Sequence, residues 1–252
     1  MEFSSPPEGE REQYPSDMTR RAATAIEQTN ASGRISYWQG ADNQSVADAG
    51  GISLADYIHA MYFFIRKAKA RHVLMIGCGG GTLATMLARA RIRVTMLDID
   101  AASFEIARRY FHLPPSVDCH VADGRAFLRR TRERYDAIVL DAYSDETIPR
   151  HFLTTAFLDL AKAHLRRRGI FLMNLLTADD NDRSPDRIAL LLGKTWRKVR
   201  LLDAVGWDDR NAVAIAGAVT GLKRPYLLLK PRRGARTVAA GLRTLDFRKL
   251  RD

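Results

Sequence analysis

Five short, largely apolar runs recur along this chain: HVLMIG (72–77), RVTMLDI (93–99), VDCHVAD (117–123), YDAIVLDA (135–142) and GIFLMNLL (169–176). Stretches of helical spacing separate them: TLATMLARA, AASFEIARRYF, GRAFLRRT and TAFLDLAKAHL, with DRIALLLGKTW after the fifth. A strand that is apolar on both faces has to be covered on both faces, and helices joining consecutive strands do this when the strands run parallel. The last two runs, KVRLLDA and NAVAIAGA, are separated by too few residues for a helical crossover, so they pair antiparallel. The pattern predicts a seven-stranded, mostly parallel α/β sheet that ends in a C-terminal antiparallel hairpin.

Ahead of this region the chain reads differently. Residues 1–20 are rich in Pro, Ser and Glu and are expected to form a flexible tail. Residues 21–50 contain two apolar and aromatic segments, AATAIEQT and RISYWQG, on either side of Asn30-Ala31-Ser32-Gly33, which predicts a small β-hairpin. Leu54, Tyr57, Ile58, Met61, Tyr62 and Ile65 then recur near the helical period, so a helix is expected over 52–66, opening a domain that runs over 51–252. No run of eighteen apolar residues exists, and the first residues are polar and acidic rather than basic and then apolar. A cytoplasmic protein is expected. Two cysteines, Cys78 and Cys119, are too few for a disulfide framework, and no Cys or His pair has zinc-ligand spacing, so no metal is expected.

The formal charge is +11, with arginines concentrated in 125–134, in 166–168 and in the last thirty residues. Such surfaces attract polyanions, and a basic C-terminal tail is a route to nucleic acid. That tail lacks the interleaved aromatic residues that stack bases, so a solvated surface is the expected role.

The first strand runs straight into Gly77-Cys78-Gly79-Gly80-Gly81, and a helix begins just after. Residues without Cβ let the backbone approach a ligand closely, and the helix start presents unpaired N–H groups to the same point. Asp98 ends the second strand, where a carboxylate accepts hydrogen bonds from a ribose diol, and Asp100 two residues on is placed to cap the next helix. Asp123-Gly124 closes the third strand; Asp123 can accept from an adenine amino group, cap the following helix, or do both through different oxygens. NAD is disfavoured, because no second nucleotide-binding half follows and the closing hairpin is foreign to dinucleotide folds. The whole is a Rossmann-like arrangement of the kind found in S-adenosylmethionine-dependent transferases. Asp141, at the end of the fourth strand, lies beside any ligand bound at the carboxyl ends of these strands; its alternative role is a structural hydrogen bond to the next loop.

The segments VLMIGCGGGTL, LDID, VADGRAFL, YDAIVLDAYSDETIPRHFLT and GIFLMNLL, in that order, resemble the spermidine synthase family of polyamine aminopropyltransferases, in its short bacterial spermidine synthase-like branch. The resemblance covers roughly residues 70 to 180. It implies that Gly77, Gly79 and Gly81 line the methionine-derived chain of the cofactor, that Asp98 holds the ribose, and that Asp123 and Gly124 meet the adenine. Asp141 becomes the carboxylate that orients the attacking amine, with Tyr143 adding a hydrogen bond. Gln44, Tyr57 and Asp145 are implied on the substrate side. The implied reaction moves an aminopropyl group from decarboxylated S-adenosylmethionine to a di- or polyamine such as putrescine, and family members are expected to pair as homodimers.

Three positions depart from the family pattern. Gly80 stands where an acidic residue of the glycine loop contacts the amino end of the cofactor. His59-Ala60 follow Tyr57-Ile58 where a glutamate is usual, and Ser144 takes the place of the second aspartate, with Asp145 one step late. Two other readings therefore stay open: an S-adenosylmethionine-dependent methyltransferase using the same loop, and a non-catalytic nucleoside- or RNA-binding protein.

Overall fold

The computed structural model describes residues 11–13, 24–29, 33–40, 42–144 and 147–251. Of the predicted tail over 1–20, only Arg11–Gln13 falls among them. That segment is a strand, β1, and it pairs antiparallel with β2 (Thr24–Thr29). The hairpin expected over 21–50 is β2 with β3 (Arg34–Gln39), and β4 (Asp42–Ala47) adds a fourth antiparallel strand on its far side. The result is a four-stranded sheet in the order β1-β2-β3-β4. Its buried Ile26, Ile35, Tyr37 and Ala47 pack against Ile106 and Phe111 of a helix of the main domain.

The main domain opens with α1 (Asp56–Lys67), four residues later than the apolar spacing implied, because Gly51 to Ala55 first cross from the small sheet. Then β5 (His72–Ile76), α2 (Thr82–Arg89), β6 (Arg93–Asp98), α3 (Ala101–Phe111), β7 (Asp118–Val121), α4 (Gly124–Arg130) and β8 (Tyr135–Leu140) alternate as expected. A 3-10 turn at Arg150–Phe152 leads to α5 (Thr155–Ala163), β9 (Leu165–Thr177) and α6 (Ser184–Thr195). The closing hairpin is β10 (Val199–Asp203) with β11 (Arg210–Gly217).

The main sheet has the order β12-β10-β11-β9-β8-β5-β6-β7: the seven expected strands and an eighth, β12 (Asp246–Arg248). Strands β5 to β9 are parallel, while β11, β10 and β12 add antiparallel pairs at one side. The C-terminal segment, read from sequence as a basic tail, is folded. It forms α7 (Ala235–Thr244), with Val238 and Leu242 buried in the core, before β12 pairs with β10. The apolar signal of α7 is two residues one helical turn apart among arginines, too sparse to stand out.

Alternation along each central strand explains why the runs are apolar throughout. Val73, Met75, Ala137, Val139, Ile170 and Leu172 face a core built with α1, α2 and α7. Leu74, Ile76, Ile138, Leu140, Phe171 and Met173 face the opposite core, built with α5 and α6. Among the described residues no helix is long and apolar enough to cross a membrane.

Candidate active site

Successive strands run outward from β5 to β6 and β7, and then from β8 to β9 on the other side. The order therefore reverses between β5 and β8, and a crevice opens at their carboxyl ends. Gly77 leaves β5 and Asp141 leaves β8 at this point, with Asp141 N donating to Ile76 O at 2.9 Å. The two backbones are in contact: Gly77 has φ +99°, and a Cβ there would lie 2.0 Å from the carbonyl oxygen of Asp141. Only glycine lets the glycine loop and the end of β8 approach this closely.

The small sheet covers the loop from outside. Gly80 N donates to Ser45 Oγ at 2.8 Å, and a Cβ on Gly79 would lie 3.2 Å from the carbonyl oxygen of Gln44. Gln44 is thereby placed at the glycine loop. A Cβ on Gly80 would sit 2.9 Å from Ser45 Cβ and 3.0 Å from the Phe111 ring, so the position has no room for an acidic side chain.

Asp98 reaches back to the same loop. Its Oδ2 accepts from Cys78 N at 2.9 Å and its Oδ1 from Asp100 N at 2.8 Å. Burial pushes its carboxyl above the ordinary range, while these two N–H groups pull it back. Tyr37 of β3 lies over this region; burial pushes its phenol to about 12, the hydrogen bond from Gln39 opposes this, and the charges of Asp100 and Asp98 add to the rise. Asp100 caps α3 by accepting from Ala102 N at 3.0 Å. Asp123 caps α4 through Oδ1, which accepts from Ala126 N at 2.8 Å. Its other oxygen lies 2.8 Å from His151 Nε2, a partner the sequence did not announce.

Around Asp141 a second group converges. Asn174 Nδ2 donates to Asp141 Oδ1 at 2.8 Å, and Asn211 Nδ2 donates to Asn174 Oδ1 at 2.9 Å, which fixes the orientation of the Asn174 amide. Burial pushes the Asp141 carboxyl up to about 6, with the Asn174 hydrogen bond acting the other way. Tyr143 OH donates to Asn174 O at 2.8 Å and accepts from Leu176 N at 3.0 Å, so this phenol is anchored to β9. Burial, and after it the charges of Asp141 and Tyr143, push the phenol of Tyr57 well above its ordinary range. His59 does not replace the usual carboxylate. It is fully buried, with Nε2 on the Ser53 carbonyl at 2.8 Å.

The structure therefore brings Asp141 and Tyr143 together around Asn174, and sets Gly77, Gly79, Gly81, Asp98 and Gln44 along the adjoining loop. Asp123 and Gly124 stand one strand beyond Asp98, and Asp145 lies outside the described residues. Asn174, Asn211, Ser45 and His151 were not predicted. Asn174 carried a readable signal, as the one polar side chain inside GIFLMNLL.

Residues 73–169 match a family model described as a methyltransferase domain. A probable polyamine aminopropyl transferase of Bifidobacterium longum is 32% identical over 131 residues, 49% of this chain and 29% of that protein. A polyamine aminopropyltransferase of Vibrio vulnificus is 34% identical over 113 residues, 42% of this chain and 38% of that protein. The chain thus spans well under half the length of these relatives. The crystal structure of a probable spermidine synthase from Corynebacterium glutamicum has the same fold, with a TM-score of 0.75 over 97% of this chain and 92% of that one at 15% identity.

Proposed function

We propose, from the premise that this chain is a spermidine synthase-like protein, that it transfers an aminopropyl group from decarboxylated S-adenosylmethionine to an amine. The observation that carries this reading is the contact between the glycine loop and Asp141, which sets a carboxylate fixed by Asn174 beside that loop. The sulfonium of the donor already activates the reaction, so the chain's task is chiefly alignment.

Asn174 occupies Asp141 Oδ1 and leaves Oδ2 to hold the acceptor amine, with Tyr143 anchored to β9 nearby. The amine nitrogen attacks the methylene carbon next to sulfur. The C–N bond forms as the C–S bond breaks, the electron pair passes to sulfur, and methylthioadenosine leaves as a neutral thioether. The proton lost by the nitrogen goes to Asp141 Oδ2 or through it to solvent. A carboxyl near 6 is ionised at neutral pH and is a better acceptor than an ordinary carboxylate near ~4, though still weaker than an amine near ~10. Asp141 therefore acts first as an anchor for the amine and second as a proton acceptor.

The reading is tested by mass spectrometry of the nucleoside product, with putrescine or mixed polyamines as acceptor. Methylthioadenosine formed only from the decarboxylated donor, and lost in Asp141→Asn, is the expected result. One observation favours a second reading, methyl transfer: Gly80 leaves the loop without the acid that would meet the donor's amino end, and its surroundings exclude one. S-adenosylhomocysteine released from the intact cofactor would establish methyl transfer and overturn the first reading.

A further inference from the structure

The charge of +11 is not spread evenly over the fold. Each parallel strand opens at one edge of the main sheet and ends at the other, so the turns between elements fall into two groups. Turns into strands lie at the amino edge, opposite the candidate site. KAR (69–71) leads into β5, RIR (91–93) into β6, RER (132–134) into β8 and RK (197–198) into β10, while RRR (166–168) lies in the first residues of β9. Every base in these segments is exposed.

The carboxylates that share this edge each have a partner. Asp136 takes Arg166 at 3.1 Å and the backbone N–H groups of Arg71 and His72, Glu133 is 3.9 Å from His72, and Asp118, on the flanking strand β7, is 3.0 Å from His120. Of the bases in the segments above, only Arg166 has a carboxylate partner among the described residues. The carboxyl edge has the opposite sign. Its turns carry Asp98 and Asp100 around the end of β6, DDND (179–182) after β9 and DD (208–209) before β11, against Arg150 and Arg183. A bias of composition toward arginine would act on both edges alike, so the contrast within one sheet has another origin. Helix dipoles favour bases at helix C-termini, but that preference falls off within the last turn, and RRR stands on a strand beyond the end of α5.

We infer that the amino edge of the main sheet docks a double-stranded nucleic acid along its phosphate backbone. From β10 to β6 the sheet runs across β11, β9, β8 and β5, a width of about 24 Å at ~4.8 Å per strand, over which a duplex presents roughly 14 phosphates. The five segments offer guanidinium and ammonium donors and no aromatic side chain, so phosphates are met and bases are not stacked. They also hold no exposed large apolar side chain, which separates this face from one that inserts into a membrane. A duplex docked here leaves the glycine loop and Asp141 open at the opposite edge, so the interaction is independent of the proposed transfer reaction.

Fluorescence anisotropy of the full chain with a labelled DNA duplex of about 20 base pairs, over a salt series, tests the inference. Binding should weaken on the order of a hundredfold between ~50 mM and ~200 mM salt, as counterion release from about four phosphates requires. Arg167→Ala/Arg168→Ala should weaken binding by about tenfold and lower the salt slope by about two. Arg91→Ala/Arg134→Ala, on two other turns of the same edge, should reproduce that loss. Arg236→Ala/Arg243→Ala removes the same charge from exposed positions of α7, which packs beside the start of α1, and should leave the affinity within about twofold of the parent. All six side chains are exposed, so the three variants should keep the parent's melting temperature. The same sequence as a single strand should bind more weakly than the duplex. Four results would overturn the inference: no binding of the duplex at low salt, an equal loss in the α7 variant, tighter binding of the single strand, or tighter binding to phosphatidylglycerol–phosphatidylcholine vesicles than to the duplex.

Discussion

Asn174 and Asp141 are 33 positions apart in sequence and joined by one 2.8 Å hydrogen bond, on which the proposed chemistry of the cleft depends. Removing that bond in Asn174→Leu takes away the one interaction that opposes burial, so the Asp141 carboxyl should rise further above about 6. The acid limb of the pH profile of kcat/KM should then move upward, a change that a merely structural role would not produce. Asp141→Asn should lower turnover by roughly 10²–10⁴-fold, the usual worth of a positioned acid or base. The same substitution should stabilise the fold at neutral pH. A carboxyl whose folded value is raised contributes stability below the unfolded value of 3.8, and this is lost as pH rises through about 6. Equilibrium urea unfolding at pH ~7.5 should therefore favour Asp141→Asn by roughly 1–3 kcal/mol after allowance for partial exposure, and the gain should vanish near pH ~3.5. Asp98, Asp123 and Asp141 were legible in the sequence because each stands at or just past the end of a strand, and Asp100 because it precedes a helix. Their partners were not: Cys78 N, His151 and Asn174 reach them across 20, 28 and 33 residues. No local pattern encodes a pairing of that separation.

Through β11 the helices and strands of the main domain follow from period, and α3 coincides residue for residue with its apolar stretch, whereas α7 and β12 left no such signal. Contacts between elements are a different matter. The glycine loop is shaped from above by β4 and from the side by α3, through Ser45 and Phe111 on the two flanks of Gly80. Gly80→Ala should cost about 1–3 kcal/mol of stability, the usual penalty of overpacking, and should weaken nucleoside binding because β4 has to move. A thermal melt with and without methylthioadenosine measures both effects. In Gly80→Ala/Ser45→Gly part of the loss should return, since one of the two close contacts is gone. The resulting coupling would show that the small sheet shapes the cofactor loop as well as covering it. The four-stranded form of that sheet was only half visible in the sequence. Its central hairpin has apolar alternation around a turn, whereas β4, DNQSVA, is polar and becomes a strand by pairing with β3.

Taken whole, the molecule is closed by its C-terminal segment. Arg248 reaches Asp186 with both terminal nitrogens, at 2.7 and 2.9 Å, and Asp203 with Nε at 2.7 Å, while Arg210 holds Asp203 from the other side at 2.7 Å. Asp186 and Asp203 are each only 1% exposed. Burial alone would raise both carboxyls, but the hydrogen bonds and charges of the arginines prevail and hold them below the ordinary range. Their contribution to stability is thus present above the unfolded carboxylate value and lost as pH falls through the depressed folded values. Arg248→Ala leaves two buried acids undercompensated and should cost roughly 3–5 kcal/mol, at about 2–4 °C of melting temperature per kcal/mol. The loss should shrink as the pH of a melting series is lowered and the acids protonate. Of the basic residues gathered near the end of the sequence, Arg248 and Arg251 are spent inside the fold, while most of the others stay exposed as a solvated surface. The network also sets a schedule for synthesis. Asp186 leaves the ribosome 62 residues before Arg248, an interval of roughly 3–12 s at ordinary elongation rates. Throughout that interval, closing this side of the sheet would trap a carboxylate with no cation to meet it. The pairing that settles the Asp186 side of the sheet is thus completed only after α7 and β12 have followed α6 in synthesis.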